Sequence, residues 1–395
     1  MKPEHGHRLR LLALSCWLVL GLAGRALAAP PPIIDYADRF HPVVGAAGMV
    51  VSQEAVASRV GADILARGGN AVDAAVATGF ALAVTLPQAG NLGGGGFMLV
   101  HLKERNQTIA IDYREVAPRA AHRDLFVGAN GAVDPELARF SHRSAGVPGT
   151  VAGLALAQKK YGTLPLAEVM APAIALAETG IRVTRPLAFS LGEAASRLRK
   201  SSAAAGYYLL PGGESPPPGH RLQQPDLART LRQIATQGPQ AFYTGAVAAQ
   251  IVAEMNAHDG LITAQDLAEY QPVERAPVTG TYRSYQVVAM PPPSSGGVHL
   301  IQMLNVLEGW NLAALGHNSA AYLHRLIETM RRAYADRGEY LGDPDFVAVP
   351  VTELTSKDHA ARLRASIDPT HATPSRTVVP TLKLPAESPQ TTHFS

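Results

Sequence analysis

The sequence has a single cysteine in 395 residues, Cys16. No intrachain disulfide can form, and stability must come from a packed core rather than from cross-links. Charge is also sparse. Lys, Arg, Asp and Glu make up 17% of the chain, against about 25% in an average soluble protein. There is no HExxH among the scattered histidines and no GxGxxG that opens a helix, so no ready-made zinc or dinucleotide motif is present. Long hydrophobic runs are missing too: LLALSCWLVLGL, residues 11–22, falls short of the roughly 20 residues needed to span a bilayer. What is plentiful is small and apolar. With 47% hydrophobic residues and 36 glycines the chain can bury a sizeable core in closely packed layers, which excludes a disordered protein.

The first 28 residues read as a secretory signal peptide. Lys2, Arg8 and Arg10 precede the apolar run, and Ala26-Leu27-Ala28 offers an A-x-A cleavage site before Ala29. Cys16 sits inside the apolar run with Ala13 three places before it, a poor lipoprotein signal. The chain carries 35 basic and 32 acidic residues; removing Lys2, Arg8, Arg10, Arg25 and Glu4 leaves 31 of each sign. A neutral mature chain gives no electrostatic ground for binding nucleic acid. The expectation is a periplasmic or secreted protein with no membrane anchor.

Residues 52–85 carry a helical pattern. Val56, Val60, Ile64 and Leu65 recur at helix spacing, Gly68-Gly69 ends the run, and Asn70 caps AVDAAVATGFALAVT, which is apolar on nearly every side and so predicts a buried helix. FMLVHLKE and TIAIDYRE, separated by residues 105–107, predict a hairpin. Residues 147–162, 166–180, 226–258, 298–307 and 319–338 predict helices. Thr263 and Asp266 form a capping-box start for a short one ended by Pro272, and residues 278–289 predict a strand. Residues 369–390, with prolines spread along them, predict an extended, accessible tether leading into a strand that begins at TTHFS.

Six stretches, in order, resemble the gamma-glutamyltransferase family of exported glutathione hydrolases: GGNAVDAAVATGFALAVTLPQAGNLGGGGFMLV (68–100), IDYREVAPRAA (111–121), GVPGTVAGL (146–154), MPPPSSGG (290–297), YADRGEYLGDPDF (334–346) and ESPQTTHFS (387–395). The resemblance implies an N-terminal nucleophile hydrolase, an α/β fold with a four-layer αββα sandwich. In such a protein a precursor cuts itself before a threonine that then becomes the nucleophile. Matched onto this sequence, the cut falls between Gln390 and Thr391. Residues 29–390 are then the large-subunit region and 391–395 the start of the small subunit, which leaves the sandwich incomplete in this chain.

The resemblance makes Thr391 the catalytic residue and Arg114 the residue that binds the α-carboxylate of a γ-glutamyl group. A Thr hydroxyl needs an adjacent base, and a free α-amine with a reference pKa of about 7.7 to 8.0 can serve. His393, two residues along the same strand face, is the competing base. The bland readings are a strand pair for Thr391 and Thr392, and a surface pair with Asp112 or Glu115 for Arg114. Gly93 to Gly96 read as a tight turn beside a cleft, the serines of PPPSSGG as caps, and Asp343 and Asp345 as an Asp-Pro turn rather than a calcium loop. No metal and no organic cofactor are expected. The implied partners are glutathione and other γ-glutamyl amides, amino acid or peptide acceptors, and a cognate small subunit. The alternatives are a glutaryl-type β-lactam acylase of the same family and a non-catalytic truncated product.

Overall fold

A computed structural model describes residues 44–380 and Leu382. Residues 44–49, bent at Ala46 and Ala47, are the described part of a unit that ends at Met49, and a second unit begins at Val50. Glu54 caps the first helix: its carboxylate accepts the Ala57 amide at 3.0 Å, and α1 runs Ala55–Ala66. Ser52 shapes the approach, its hydroxyl donating to the Glu54 carbonyl at 2.8 Å. Gly68 ends α1 in the left-handed region, with φ +95°.

Asn70 then opens α2 (Ala71–Thr85) as the sequence predicts. Its side chain accepts the Val72 and Asp73 amides, and the Asp73 carboxylate accepts the Asn70 amide at 2.7 Å. The helix is buried on nearly every side. Phe80, Val76 and Val84 are fully enclosed, and burial of each such side chain contributes about 1.5 to 3 kcal/mol.

β1 (Phe97–Leu102) and β2 (Gln107–Asp112) form the expected hairpin, with Phe97 opposite Asp112 and Leu102 opposite Gln107. After β2 come the short α3 (Pro135–Phe140), then α4 (Thr150–Tyr161) and α5 (Leu166–Thr179). Next are two elements the pattern reading leaves out, α6 (Arg185–Leu198) and α7 (Ser202–Tyr208), flanked by the two-residue strands β3 (Ile181–Arg182) and β4 (Arg221–Leu222). Residues 226–258 are not one helix. Gly238, at φ +79°, and Pro239 separate α8 (Pro225–Gln237) from α9 (Gln240–Tyr243), and Thr244 and Gly245 separate α9 from α10 (Ala246–Ala257). The Thr263/Asp266 capping box forms and opens the short α11 (Ala264–Glu269).

β5 (Val273–Arg275) adds to β2, giving a three-stranded antiparallel sheet in the order β1-β2-β5. The predicted strand at 278–289 is a hairpin, β6 (Val278–Tyr282) and β7 (Tyr285–Ala289), reversed at Arg283 with φ +54°. The chain continues through α12 (Gly296–Leu307), α13 (Ala320–Tyr340), α14 (Val351–Leu354) and α15 (Lys357–Ala365). The class is α/β as expected, and among the described residues the three-stranded sheet is the largest of three sheets. The main core gathers α1, α2, α4, α5 and α8 with β1 and β2. A second cluster, Val278, Val298, Ile301 and Leu354, lies under β6 and α12.

The tether reading needs correction over residues 369–380. Their side chains are mostly exposed, but the backbone is fastened to α13. Glu328, enclosed in α13 and paired with Arg332, accepts the Thr373 amide at 3.0 Å, and the Arg331 guanidinium donates to the Thr373 carbonyl. A buried carboxylate with room for one more donor pins the segment, which a proline count cannot reveal. Further on, the Tyr340 hydroxyl donates to the Leu382 carbonyl at 2.8 Å. Residues 1–28, Gln390, Thr391 and the TTHFS strand lie outside the described residues.

Asp73 does more than cap. It also accepts the Gln158 side-chain amide at 2.6 Å, the Thr163 hydroxyl at 2.6 Å, and the amides of Thr163 and Leu164, tying the start of α2 to the turn between α4 and α5. Burial alone would raise its pKa, but the bonds from Thr163, Leu164, Gln158 and Asn70 outweigh that and bring it from 3.8 to about 2. A carboxyl depressed in the folded state contributes stability that is complete above pH 3.8 and lost as pH falls towards 2. Asp73→Asn is expected to cost at least about 2 kcal/mol at pH 7, because donors that faced a carboxylate would face an NH2 group. Urea unfolding at pH 7 and pH 3 checks both statements: the gap between wild type and variant should narrow at the lower pH.

Candidate active site

The hairpin ladder runs one pair past its strands. Gly96 and Tyr113 exchange both backbone hydrogen bonds, at 3.0 and 3.2 Å, which brings Arg114 alongside Gly95. A Cβ on Gly95 would lie 2.6 Å from the Tyr113 carbonyl oxygen and the Glu115 nitrogen, so only glycine lets the two backbones run this close. The glycine loop is docked in turn on α4. The Gly94 carbonyl accepts the Gly149 and Thr150 amides at 2.7 and 3.0 Å, and the Asn91 side chain accepts the Thr150 hydroxyl at 2.6 Å. Val116 pairs with Val147 on the far side of Arg114. Three of the motif stretches, 91–96, 111–116 and 146–154, therefore converge around one residue, Arg114. Of the tight turn expected over Gly93 to Gly96, the bend covers Leu92 to Gly94, while Gly95 and Gly96 already run alongside the Arg114 strand.

Alternation along this strand separates two environments. Tyr113 turns inward against α4, where a Cβ on Gly153 would overlap its ring, and burial pushes its phenol up to about 12. Arg114 lies on the same face as Asp112 and is exposed, its Cζ 6.0 Å from the centroid of the Phe97 ring. Its carbonyl is fixed by Tyr270, whose hydroxyl donates to it at 2.9 Å. Tyr270 stacks on Tyr243 with centroids 5.8 Å apart, and the Tyr243 hydroxyl donates to the Pro148 carbonyl at 2.9 Å. Burial raises both phenols well above the usual range, so they stay neutral donors. No local pattern in the sequence marks these two tyrosines as parts of the site.

The surface pair with Asp112 or Glu115 does not form. Asp112 is taken by Arg275 of β5, whose Nε donates to Oδ2 at 2.9 Å, and Asp112 Oδ1 accepts the Arg114 backbone amide at 3.1 Å. Arg275 also grips Asp345 through both terminal nitrogens, at 3.0 and 2.6 Å, and that contact holds the Asp345 carboxyl below its usual range. No ion pair reaches the Arg114 side chain from the described residues. Arg119 is committed to Glu269, and Arg123 lies beyond the Val116 bridge in an exposed turn. Arg114 is thus the free guanidinium that the converging loops present.

Other motif residues have structural posts. The Asp343 side chain accepts the Asp345 amide at 3.0 Å, and its carbonyl accepts the Phe346 amide, an Asp-Pro turn as read. Ser294 accepts the Gly296 amide at 3.3 Å. Ser295 sits at the N-cap of α12 but accepts from Arg337 rather than from the helix.

The family model described as gamma-glutamyltranspeptidase matches residues 57–395. A glutathione hydrolase proenzyme of Escherichia coli K12 is 49% identical over 100% of this chain and 68% of its own length. An acylase ACY 1 proenzyme of Pseudomonas sp. V22 is 40% identical over 85% of this chain and 61% of its own. Among solved structures, the gamma-glutamyltranspeptidase of Helicobacter pylori superposes with a TM-score of 0.85 at 44% identity, covering 88% of this chain and 100% of that one. The chain therefore spans about two thirds of the curated relatives' length.

Arg275→Met removes the partner of a buried carboxylate and is expected to cost about 3 to 5 kcal/mol in urea unfolding, with Asp112→Asn/Arg275→Met recovering part of that loss. Equal stability of single and double variants would show that Asp112 does not depend on Arg275.

Proposed function

Since the chain belongs to the gamma-glutamyltranspeptidase family, we propose that it supplies the substrate-holding region of an enzyme that moves γ-glutamyl groups from glutathione and related amides to water or to amino acid or peptide acceptors. The observation that carries this reading is the unpaired Arg114 guanidinium beside Gly95. A γ-glutamyl group ends in an α-carboxylate, and a guanidinium fork holds a carboxylate through two parallel hydrogen bonds.

The reacting group in this reading is Thr391. In the precursor its hydroxyl attacks the Gln390 carbonyl, the peptide nitrogen leaves as the Thr391 amine, and water opens the resulting ester. The new α-amine then takes the hydroxyl proton as Thr391 attacks the γ-glutamyl carbonyl and passes it to the departing amine. Water or an acceptor amine resolves the second ester. One observation supports a divided precursor: the matched region makes up the whole length of the Helicobacter chain, whereas it is about two thirds of the Escherichia coli proenzyme.

A small subunit is the partner this reading requires. Leu323, Ile327, Met330 and Tyr334 form an apolar stripe left exposed on α13, which suits burial against such a subunit. Among the described residues no helix is long and apolar enough to cross a membrane. Export, with Ala29 as the mature N-terminus, follows from the signal-peptide reading. The acylase alternative uses the same nucleophile on a glutaryl group, which carries a carboxylate at the same remove but no α-ammonium. The higher identity to a glutathione hydrolase favours the first reading.

The test uses a chain extended to the length of its relatives. Thr391→Ala is expected to stay uncut and inactive, whereas Thr391→Ser should cut and turn over more slowly, since losing the methyl loosens the hydroxyl's placement. His393→Ala should still mature. Mass spectrometry that finds Thr391→Ala split after Gln390 would remove the nucleophile assignment.

A further inference from the structure

Away from Arg114, three side chains from distant parts of the sequence meet on the surface. His142 lies in a short turn of 3-10 helix, His142–Ser144, after α3. Glu254 and His258 stand one turn apart at the end of α10. His142 Nε2 is 3.1 Å and His258 Nε2 3.4 Å from the same oxygen, Glu254 Oε1, and the two rings stack with centroids 4.6 Å apart and planes 18° apart. One ligand atom from each residue lies within 4.8 Å of the other two.

We propose that His142, Glu254 and His258 form a binding site for a divalent transition-metal ion of the zinc type, with water completing the coordination. Zinc bonds of about 2.0 to 2.1 Å in tetrahedral geometry place neighbouring ligand atoms roughly 3.3 Å apart. The two nitrogen-to-oxygen edges are already close to that length, and the edge between the histidines lies within 4.8 Å. A donor set of two imidazoles and one carboxylate suits zinc, whereas magnesium and calcium favour oxygen ligands alone. The site is also held without the ion: Arg143 and Asp259, the sequence neighbours of His142 and His258, pair with each other across the same two segments. All three side chains are partly open to solvent, which gives the ion a path and the fourth position a water.

This site departs from the expectation of no metal, which rested on the absence of a linear ligand motif. The turn holding His142 leads through Gly146 to Val147, the partner of Val116 just past Arg114. An ion there braces the segment that leads to Val147, beside Arg114.

On the purified, metal-stripped chain, equilibrium dialysis against Zn2+ is expected to give one ion per chain held at micromolar concentration. Co2+ in its place should show the visible absorption of tetrahedral coordination. Separate His142→Ala, His258→Ala and Glu254→Gln variants should each weaken Zn2+ binding at least about tenfold. Their metal-free unfolding midpoints should stay near wild type, since none of the three side chains is buried, and excess Mg2+ or Ca2+ should not displace the ion. Zn2+ uptake equal in wild type and all three variants, or none at micromolar concentration, would overturn the proposal.

Discussion

Asp112 is the carboxylate on which the geometry around Arg114 depends. One oxygen accepts the Arg275 guanidinium and the other accepts the Arg114 backbone amide, so the acid nearest to Arg114 along its own strand face holds that residue's main chain and leaves its side chain alone. Arg275 reaches on to Asp345 and joins β2, β5 and the Asp343 turn in one contact. A cation positioned beside a free carboxylate would be neutralised; positioned beside an occupied one, it stays available to a ligand.

The rest of the site is a matter of close approach. The glycine loop lies against the Arg114 strand because a Cβ would not fit between them, and the opposite face of that strand is sealed by Tyr113 packing against α4. Tyr270 and Tyr243, stacked and neutral, fix the carbonyls of Arg114 and Pro148, one on each side of the gap. The framework behind them is tied by Asp73, whose hydrogen bonds couple α2 to the α4–α5 turn. Loop residues carry the proposed chemistry, and enclosed carboxylates hold the loops.

What the sequence made legible was local. The Asn70/Asp73 and Thr263/Asp266 capping boxes, the 97–112 hairpin and the buried run of α2 each follow from a few adjacent residues, and each is present. The apolar period over 226–258 predicts a continuous helical stretch, whereas Gly238-Pro239 stops the helix inside it. The start of α6 is local too: the Thr184 hydroxyl accepts the Leu187 amide, and Pro186 lies in the first turn, a capping signal that the apolar pattern alone does not carry. The docking of residues 369–380 on Glu328, the capture of Asp112 by Arg275 and the meeting of His142 with Glu254 join residues far apart in sequence, which no periodicity encodes. Arg114 was found only through resemblance; its freedom from a partner is a tertiary fact.

Whether Arg114 holds the α-carboxylate is tested most directly by deleting each member of the pair in turn. In an enzyme extended to the length of its relatives, kcat/KM for a γ-glutamyl anilide is compared with that for the 4-aminobutyryl anilide, which lacks only that carboxylate, in wild type and in Arg114→Ala. A desolvated guanidinium–carboxylate pair of about 2 to 5 kcal/mol predicts that wild type prefers the first substrate by roughly 30-fold or more. Arg114→Ala should barely distinguish the two. The same preference in both enzymes would mean that the carboxylate is held elsewhere, and the free guanidinium would lose its assigned role.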